Sequence, residues 1–295
     1  MTNHPALKKT RLADRRLAIM AVLLILDSLH FVLARLLVSF MPATVAALYV
    51  MAIATVLVGL VGLGLGRIHL RPLRTSLWFF LLIGVLVAAS TALGFEAMAF
   101  IDPGTASFLS KASILFGLGL SFLWLRETLT RVQVGGASIA VVGLVFLSFQ
   151  PGDYFRLGAL MMLVASFMYA LHTAVVKRYG GDFDFVEFLF FRLLSTTLFL
   201  LLFSTARQQL LWPDARAWPW IILVGAVDVA ASRALYYIAL RWIPLSVHTI
   251  VLSLSPVAAV VWSMLLFGTA VTVQQVIGGA AVIAGVLIVT LNQEH

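Results

Sequence analysis

Apolar stretches close to 20 residues long recur ten times along the chain, at about 17–38, 43–66, 75–100, 104–124, 132–149, 157–178, 185–205, 218–240, 245–266 and 273–291, with short polar or basic turns between them. At a rise of about 1.5 Å per residue, each stretch crosses the roughly 30 Å hydrocarbon core of a bilayer as a helix. Glycine and alanine fall on every side of these stretches, without the apolar–polar alternation of barrel strands, so the pattern predicts an all-α polytopic membrane protein. The pattern is also written twice. At a constant offset of 142 residues, the separation of His30 from His172, Arg35 meets Lys177, Ser90 meets Ser232, Ala97 meets Ala239 and Ile101 meets Ile243. Thr130, Gln133, Gly136 and Gly143 meet Thr272, Gln275, Gly278 and Gly285 in the same way. Five spans per copy is an odd number, so the second copy enters the bilayer from the opposite side. The expected architecture is ten transmembrane helices in two inverted five-helix repeats.

The division that follows is an N-terminal segment 1–16, a first repeat 17–149, a linker 150–156, a second repeat 157–291 and a tail 292–295. The linker contains Pro151, Gly152 and Asp153, which end the fifth span and begin the turn into the second copy. The basic start followed by an apolar run has the outline of a signal peptide. The run is too long for one, carries Asp27, His30 and Arg35, and has no small-residue cleavage site, so it reads as a retained first helix.

Composition narrows the class further. Hydrophobic residues make up 62% of the 295, charged residues 11%, and mean hydropathy is +1.07, which excludes a water-soluble core with a charged shell. There is no cysteine, hence no disulfide, thiolate nucleophile or cysteine-ligated metal. A net charge of +8 would suit nucleic acid, but the cations sit at the ends of apolar runs. Lys8, Lys9, Arg67, Arg74, Arg126, Arg131, Lys177, Arg178 and Arg241 fall on one side, against Arg156, Arg207 and Arg216 on the other. The positive-inside rule then places both termini in the cytoplasm, in an inner or plasma membrane, with the bilayer and not nucleic acid as the partner.

Leu125-Arg126-Glu127-Thr128-Leu129-Thr130, followed by Gln133, Gly136 and Gly143, resembles the closing motif of the EamA domain in the drug/metabolite transporter superfamily. Tyr237-Ile238-Ala239-Leu240-Arg241-Trp242-Ile243, with Ser253-Leu254-Ser255-Pro256 beyond it, is similar to that domain's third-to-fourth helix region. The resemblance covers about 19–149 and 157–291. It implies a ten-helix inner-membrane transporter, commonly an exporter of amino acids or other small metabolites, with a central cavity built from both halves. Three positions depart from the pattern. Thr269 stands opposite Glu127, Lys111 stands opposite Ser253 in mid-span, and Ile114 stands opposite Pro256, so a proline kink is expected in the ninth span and not in the fourth.

An ionisable group at mid-bilayer costs several kcal/mol and is a candidate for function by default. Lys111 has Ser107 and Ser110 near its face, with Thr249 and Ser253 on the matching wall of the other copy; it reads either as a ligand group or as the partner of Asp27 or Glu96. His30 and His172 each follow a polar residue by three positions, Asp27 and Tyr169, an arrangement open to proton relay or to helix packing. Two distant histidines without ligand-spaced acids make a poor metal site. Arg233, Tyr236 and Tyr237 share a face that suits a carboxylate or phosphate, while an α-helical wheel turns Asp228 elsewhere. The competing reading has Arg233 neutralising Asp228, Glu96 or Glu187. Glu187 and Arg192 read as structural.

Glycines at 136, 143, 278 and 285 permit close helix approach, either of the fifth span to the tenth or of one copy of the chain to another as a homodimer. The chain has no His-Glu-x-x-His, Gly-x-Ser-x-Gly or Gly-x4-Gly-Lys-Ser/Thr motif, which leaves no ATP-driven or hydrolytic engine visible in the sequence, and the expectation is of no enzyme activity and no cofactor. The expected function is secondary transport of a small polar metabolite such as an amino acid or organic acid by alternating access. The alternative is a flippase or non-transporting subunit that handles a lipid phosphate.

Overall fold

The structure, a computed structural model, describes residues 5–126, 128, 130–148, 153–180, 183–236 and 251–291. Its elements are α1 (Pro5–Val38), α2 (Ala43–Gly64), a short α3 (Leu70–Thr75), α4 (Leu77–Ala97), α5 (Pro103–Ser110), α6 (Ala112–Leu123), α7 (Arg131–Ser148), α8 (Asp153–Tyr179), α9 (Phe185–Ala206) and α10 (Trp218–Leu223). α10 runs directly into a π-helical segment, Val224–Ala231, and the described chain closes with α11 (Ser255–Phe267) and α12 (Val273–Leu291). No strand occurs among these residues. Among the described residues nine stretches are long and apolar enough to span, α5 with α6 forming one of them, and α11 is a shorter apolar helix. The expected ninth span, 245–266, begins outside the described residues, as do Glu127, Tyr237, Arg241 and Thr249.

The inverted repeat is visible in the packing. α4 lies against α8 and α9, as the π segment lies against α1 and α2; α1 lies on α11, as α8 lies on α6. Three pairs of equivalent spans meet across the pseudo-two-fold axis itself: α2 with α9, α5 with α11, and α7 with α12. At the first of these, Thr55 Oγ1 and Thr197 Oγ1, one repeat length apart, stand 2.9 Å from each other. Long apolar side chains such as Leu60, Val142, Leu202 and Leu265 remain exposed around the bundle, the surface a helical protein presents to lipid.

The glycines close the α7–α12 pair. A Cβ on Gly136 would lie 2.9 Å from the carbonyl of Gly285, and one on Gly143 would lie 2.7 Å from the carbonyl of Gly278. The glycine face is thus used within the chain, which is the first of the two packing expectations. Both helices also begin the same way. Thr130 Oγ1 accepts from the Gln133 N–H at 3.2 Å while Gln133 Oε1 accepts from the Thr130 N–H at 2.9 Å; Thr272 and Gln275 repeat this at 3.2 and 3.0 Å. These are reciprocal capping boxes, each satisfying two N–H groups that the first helical turn leaves without partners.

The side-chain amide of Gln275 also reaches Asp102 Oδ2 at 2.9 Å and Thr105 Oγ1 at 2.8 Å. Asp102 caps α5, accepting from the Thr105 N–H at 3.0 Å, so one carboxylate serves a helix start and a bridge between repeats. Asp102→Ala is expected to lower stability by about 1–2 kcal/mol, the loss of a cap plus that bridge. Thermal unfolding in lipid nanodiscs measures it, and an unchanged midpoint would remove Asp102 from the stability of this end.

Candidate functional site

A cavity of about 460 Å³ occupies the centre of the bundle between the repeats. Its wall is itself repeated: Asp27 and Tyr169, Met51 and Leu193, Val87 and Val229, Ser90 and Ser232, Thr91 and Arg233, Gly94 and Tyr236, Ser110 and Leu252, and Lys111 and Ser253 all line it. The cavity therefore sits on the pseudo-two-fold axis. Its charges do not obey that symmetry. Asp27, Lys111, Arg192, Asp228 and Arg233 line the wall, and their repeat mates are Tyr169, Ser253, Val50, Leu86 and Thr91, all uncharged.

Asp228 stands in the π segment, where the Ser232 N–H donates to the Val227 carbonyl five residues back. On an α-helix, residues five apart diverge by about 140°. Widening to i→i+5 bonding returns them to one face, so Asp228 and Arg233 both reach the cavity, contrary to the α-helical expectation. The Asp228 carboxylate, 5% exposed, lies 2.7 Å from Nδ1 of His30, whose side chain is 34% exposed to the cavity. His30 is thus joined to the second repeat and not to its neighbour Asp27. Asp27 instead faces Lys111 at 3.7 Å, which answers which acid the lysine meets.

Lys111 stands where span four breaks. Its N–H bonds the Phe108 carbonyl and its carbonyl accepts from the Ile114 N–H, both three-residue contacts that tighten the helix between α5 and α6. The proline expected to break the ninth span stands just after an interruption at Leu254, and the fourth span, which has no proline there, is interrupted as well, at Lys111. The ammonium of Lys111 further donates to the Leu252 carbonyl at 3.3 Å and to Ser255 Oγ at 3.1 Å.

The remaining expected residues divide. Ser107, Ser253, Tyr169, Arg233 and Tyr236 line the cavity; Tyr169 bonds Arg192 and lies within electrostatic range of Arg233. His172 does not line it. It is buried behind Tyr169, its ring centroid 5.4 Å from the phenol ring, and its ring nitrogens meet no hydrogen-bond geometry among the described residues. Glu96 is also removed from the cavity: it pairs with Arg207 and accepts from Thr44 at 3.1 Å, at the bundle end where Arg35 bonds the Ile101 carbonyl. Glu187 joins His69 at the other end, its Oε1 accepting from the His69 N–H at 2.8 Å. Tyr237 and Thr249 lie outside the described residues. Arg192, read from the sequence as structural, is on the cavity wall. Its position well inside a span was the same signal that singled out Lys111.

The sequence model of the EamA-like transporter family matches residues 16–149 and 156–291, one match to each repeat. The chain belongs to the EamA-like transporter family. Among curated relatives, an uncharacterized transporter of Bacillus subtilis (strain 168), YdfC, is 26% identical over 190 residues, 63% of this chain and 62% of that one. An uncharacterized transporter of Acidianus ambivalens is 30% identical over 121 residues, 40% and 48% of the two chains. The riboflavin transporter ImpX of Fusobacterium nucleatum is 25% identical over 193 residues, 61% and 64%. The matched region thus spans about half to two thirds of each relative's length. A solved crystal structure shares the fold, with a TM-score of 0.64 over 95% of this chain and 99% of the other at 19% identity. Like the rest of its family, this EamA-like transporter is an integral membrane protein, and the cavity between its repeats is its candidate substrate site.

Proposed function

We propose that this transporter exports a small metabolite bearing an anionic group, an amino acid or another small organic acid, across the cell membrane by alternating access, with both termini cytoplasmic. The observation that carries the reading is the charge of the axial cavity. Lys111, Arg192 and Arg233 face two carboxylates, Asp27 and Asp228, leaving an excess of one positive charge with His30 neutral and two with it protonated. A guanidinium recognises a carboxylate through paired, charge-assisted hydrogen bonds. With Arg192, Arg233 and Tyr169 grouped on the second repeat and Asp27 on the first, an amino acid lies with its carboxylate toward the former and its ammonium toward the latter. A volume of about 460 Å³ suits a ligand of that size. Basic residues concentrated at one end of the spans support the orientation, and the family resemblance supports export.

The test is counterflow in proteoliposomes with radiolabelled L-glutamate, L-phenylalanine and succinate. At least one label is expected to exchange, and Arg233→Gln is expected to cut that exchange by ~10-fold or more, the loss of a charged hydrogen bond. Normal exchange in the variant would overturn the carboxylate assignment. Movement of a fluorescent phospholipid with none of the labels would transfer the site to lipid phosphate.

A further inference from the structure

Pro256 has no N–H, so the carbonyl of Leu252, four residues earlier, lacks the donor that a continuous helix supplies. The donor it receives comes from the other repeat. Lys111 Nζ reaches that carbonyl at 3.3 Å and adds Ser255 Oγ at 3.1 Å, on the far side of the same break. With Asp27 at 3.7 Å as a third partner, and a side chain 18% exposed, the ammonium is held by three groups on two other spans. The two interruptions, at Lys111 in span four and at Leu254 in span nine, are thereby joined across the pseudo-two-fold axis.

We propose that Lys111 is a latch between the broken spans, a positioning residue whose ammonium takes the place of the N–H missing at Pro256 and so favours one access state of the transporter. The inverted repeat supplies the asymmetry. When two inverted copies exchange conformations, a contact from 111 to 252 becomes one from 253 to 110. Position 253 is a serine, whose hydroxyl is several carbon atoms shorter in reach than a lysine ammonium, and the carbonyl of Ser110, the mate of Leu252, already accepts from Ser113 Oγ at 2.8 Å. The opposite state therefore has neither the donor nor the carbonyl that needs it. A hydrogen bond to a charged group is strong enough to move a two-state balance by an order of magnitude.

The proposal rests on the alternating-access reading but not on the substrate, and its test uses no substrate. Because the chain has no cysteine, Ser90→Cys and Ser232→Cys, repeat mates on the cavity wall, serve as single reporters. A membrane-impermeant thiol reagent is applied from either side of reconstituted vesicles, and the ratio of the two labelling rates reads the balance of access states. Lys111→Met is expected to shift this ratio by ~10-fold, while in a Pro256→Ala background, where residue 256 supplies its own N–H, the same change shifts it by less than ~2-fold. Lys111→Gln, which keeps a donor on a shorter chain, is the second variant should Lys111→Met fail to fold, and falls between. Equal shifts in the two backgrounds, or none in either, would overturn the latch. A preserved shift together with failed counterflow of all three labels would remove the substrate reading alone.

Discussion

Gly285→Ala is expected to disrupt the protein more than a methyl group's size suggests. The added Cβ would stand 2.5 Å from the amide nitrogen of Ala140 and 2.5 Å from the carbonyl of Gly136. Both are backbone atoms of α7, so no side chain can rotate out of the way, and α7 and α12 must move apart by about 1 Å to restore ordinary contact. That separation loosens the neighbouring contacts at Gly143 and Gly278, because the same two helices carry both. Overpacking of a tight interface costs about 1–3 kcal/mol and occasionally more, and here the expected loss is about 3 kcal/mol. Gly119→Ala is the control. A Cβ there meets nothing within 4 Å, and replacing glycine inside a helix should stabilise by a few tenths of a kcal/mol to about 1 kcal/mol. Thermal unfolding of both variants in nanodiscs checks the pair. Similar midpoints for the two would mean that the α7–α12 contact does not depend on bare backbone at 285.

The second large effect is an asymmetry within the His30–Asp228 pair. Asp228 is 5% exposed and His30 34% exposed, so the partners do not share the consequences of separation equally. His30→Ala leaves a buried carboxylate without its imidazole, a change that costs about 3–5 kcal/mol where a pair is fully enclosed. About 3 kcal/mol is expected here, since one side of the pair meets the cavity. Asp228→Ala leaves an imidazole that can be neutral and partly hydrated, and about 1 kcal/mol or less is expected. The double variant should resemble Asp228→Ala alone in stability, because the stranded charge is gone, while all three lose the charge arrangement of the cavity. Unfolding midpoints of the two single variants and the double variant measure this. Equal losses in the singles would show that burial of Asp228 does not govern the pair.

Much of the scaffold was legible before any coordinates. Apolar run length placed the spans, and the 142-residue offset placed the inversion, because burial in lipid and helical rise constrain sequence at every position. Matched glycines and matched Thr-x-x-Gln boxes were legible for the same reason: close backbone approach and helix starts demand particular residue types at one local spacing. Within the site, Lys111, Asp27, Arg233, Asp228 and His30 were identifiable as intramembrane ionisable groups. Their partners were not. A wheel drawn with α-helical spacing separated Asp228 from Arg233, since nothing in Val224–Ala231 announces that the helix widens there. Arg192 was set aside although it carries the same signal as Lys111, and Glu96, which carries that signal too, pairs with Arg207 away from the cavity.

Sequence alone determined that this chain is a helical membrane protein built from two inverted copies, and at which positions the copies differ. Those are one-dimensional properties, set by hydrophobic length, residue type and repeat spacing. Only the tertiary structure decided what the differences do: that His30 answers Asp228 and not Asp27, that the unmatched charges converge on one axial cavity, and that Lys111 reaches a carbonyl that Pro256 leaves without a donor. Each of these joins residues from opposite repeats, and electrostatic and hydrogen-bonding contacts act over a few ångströms of space whatever the separation along the chain.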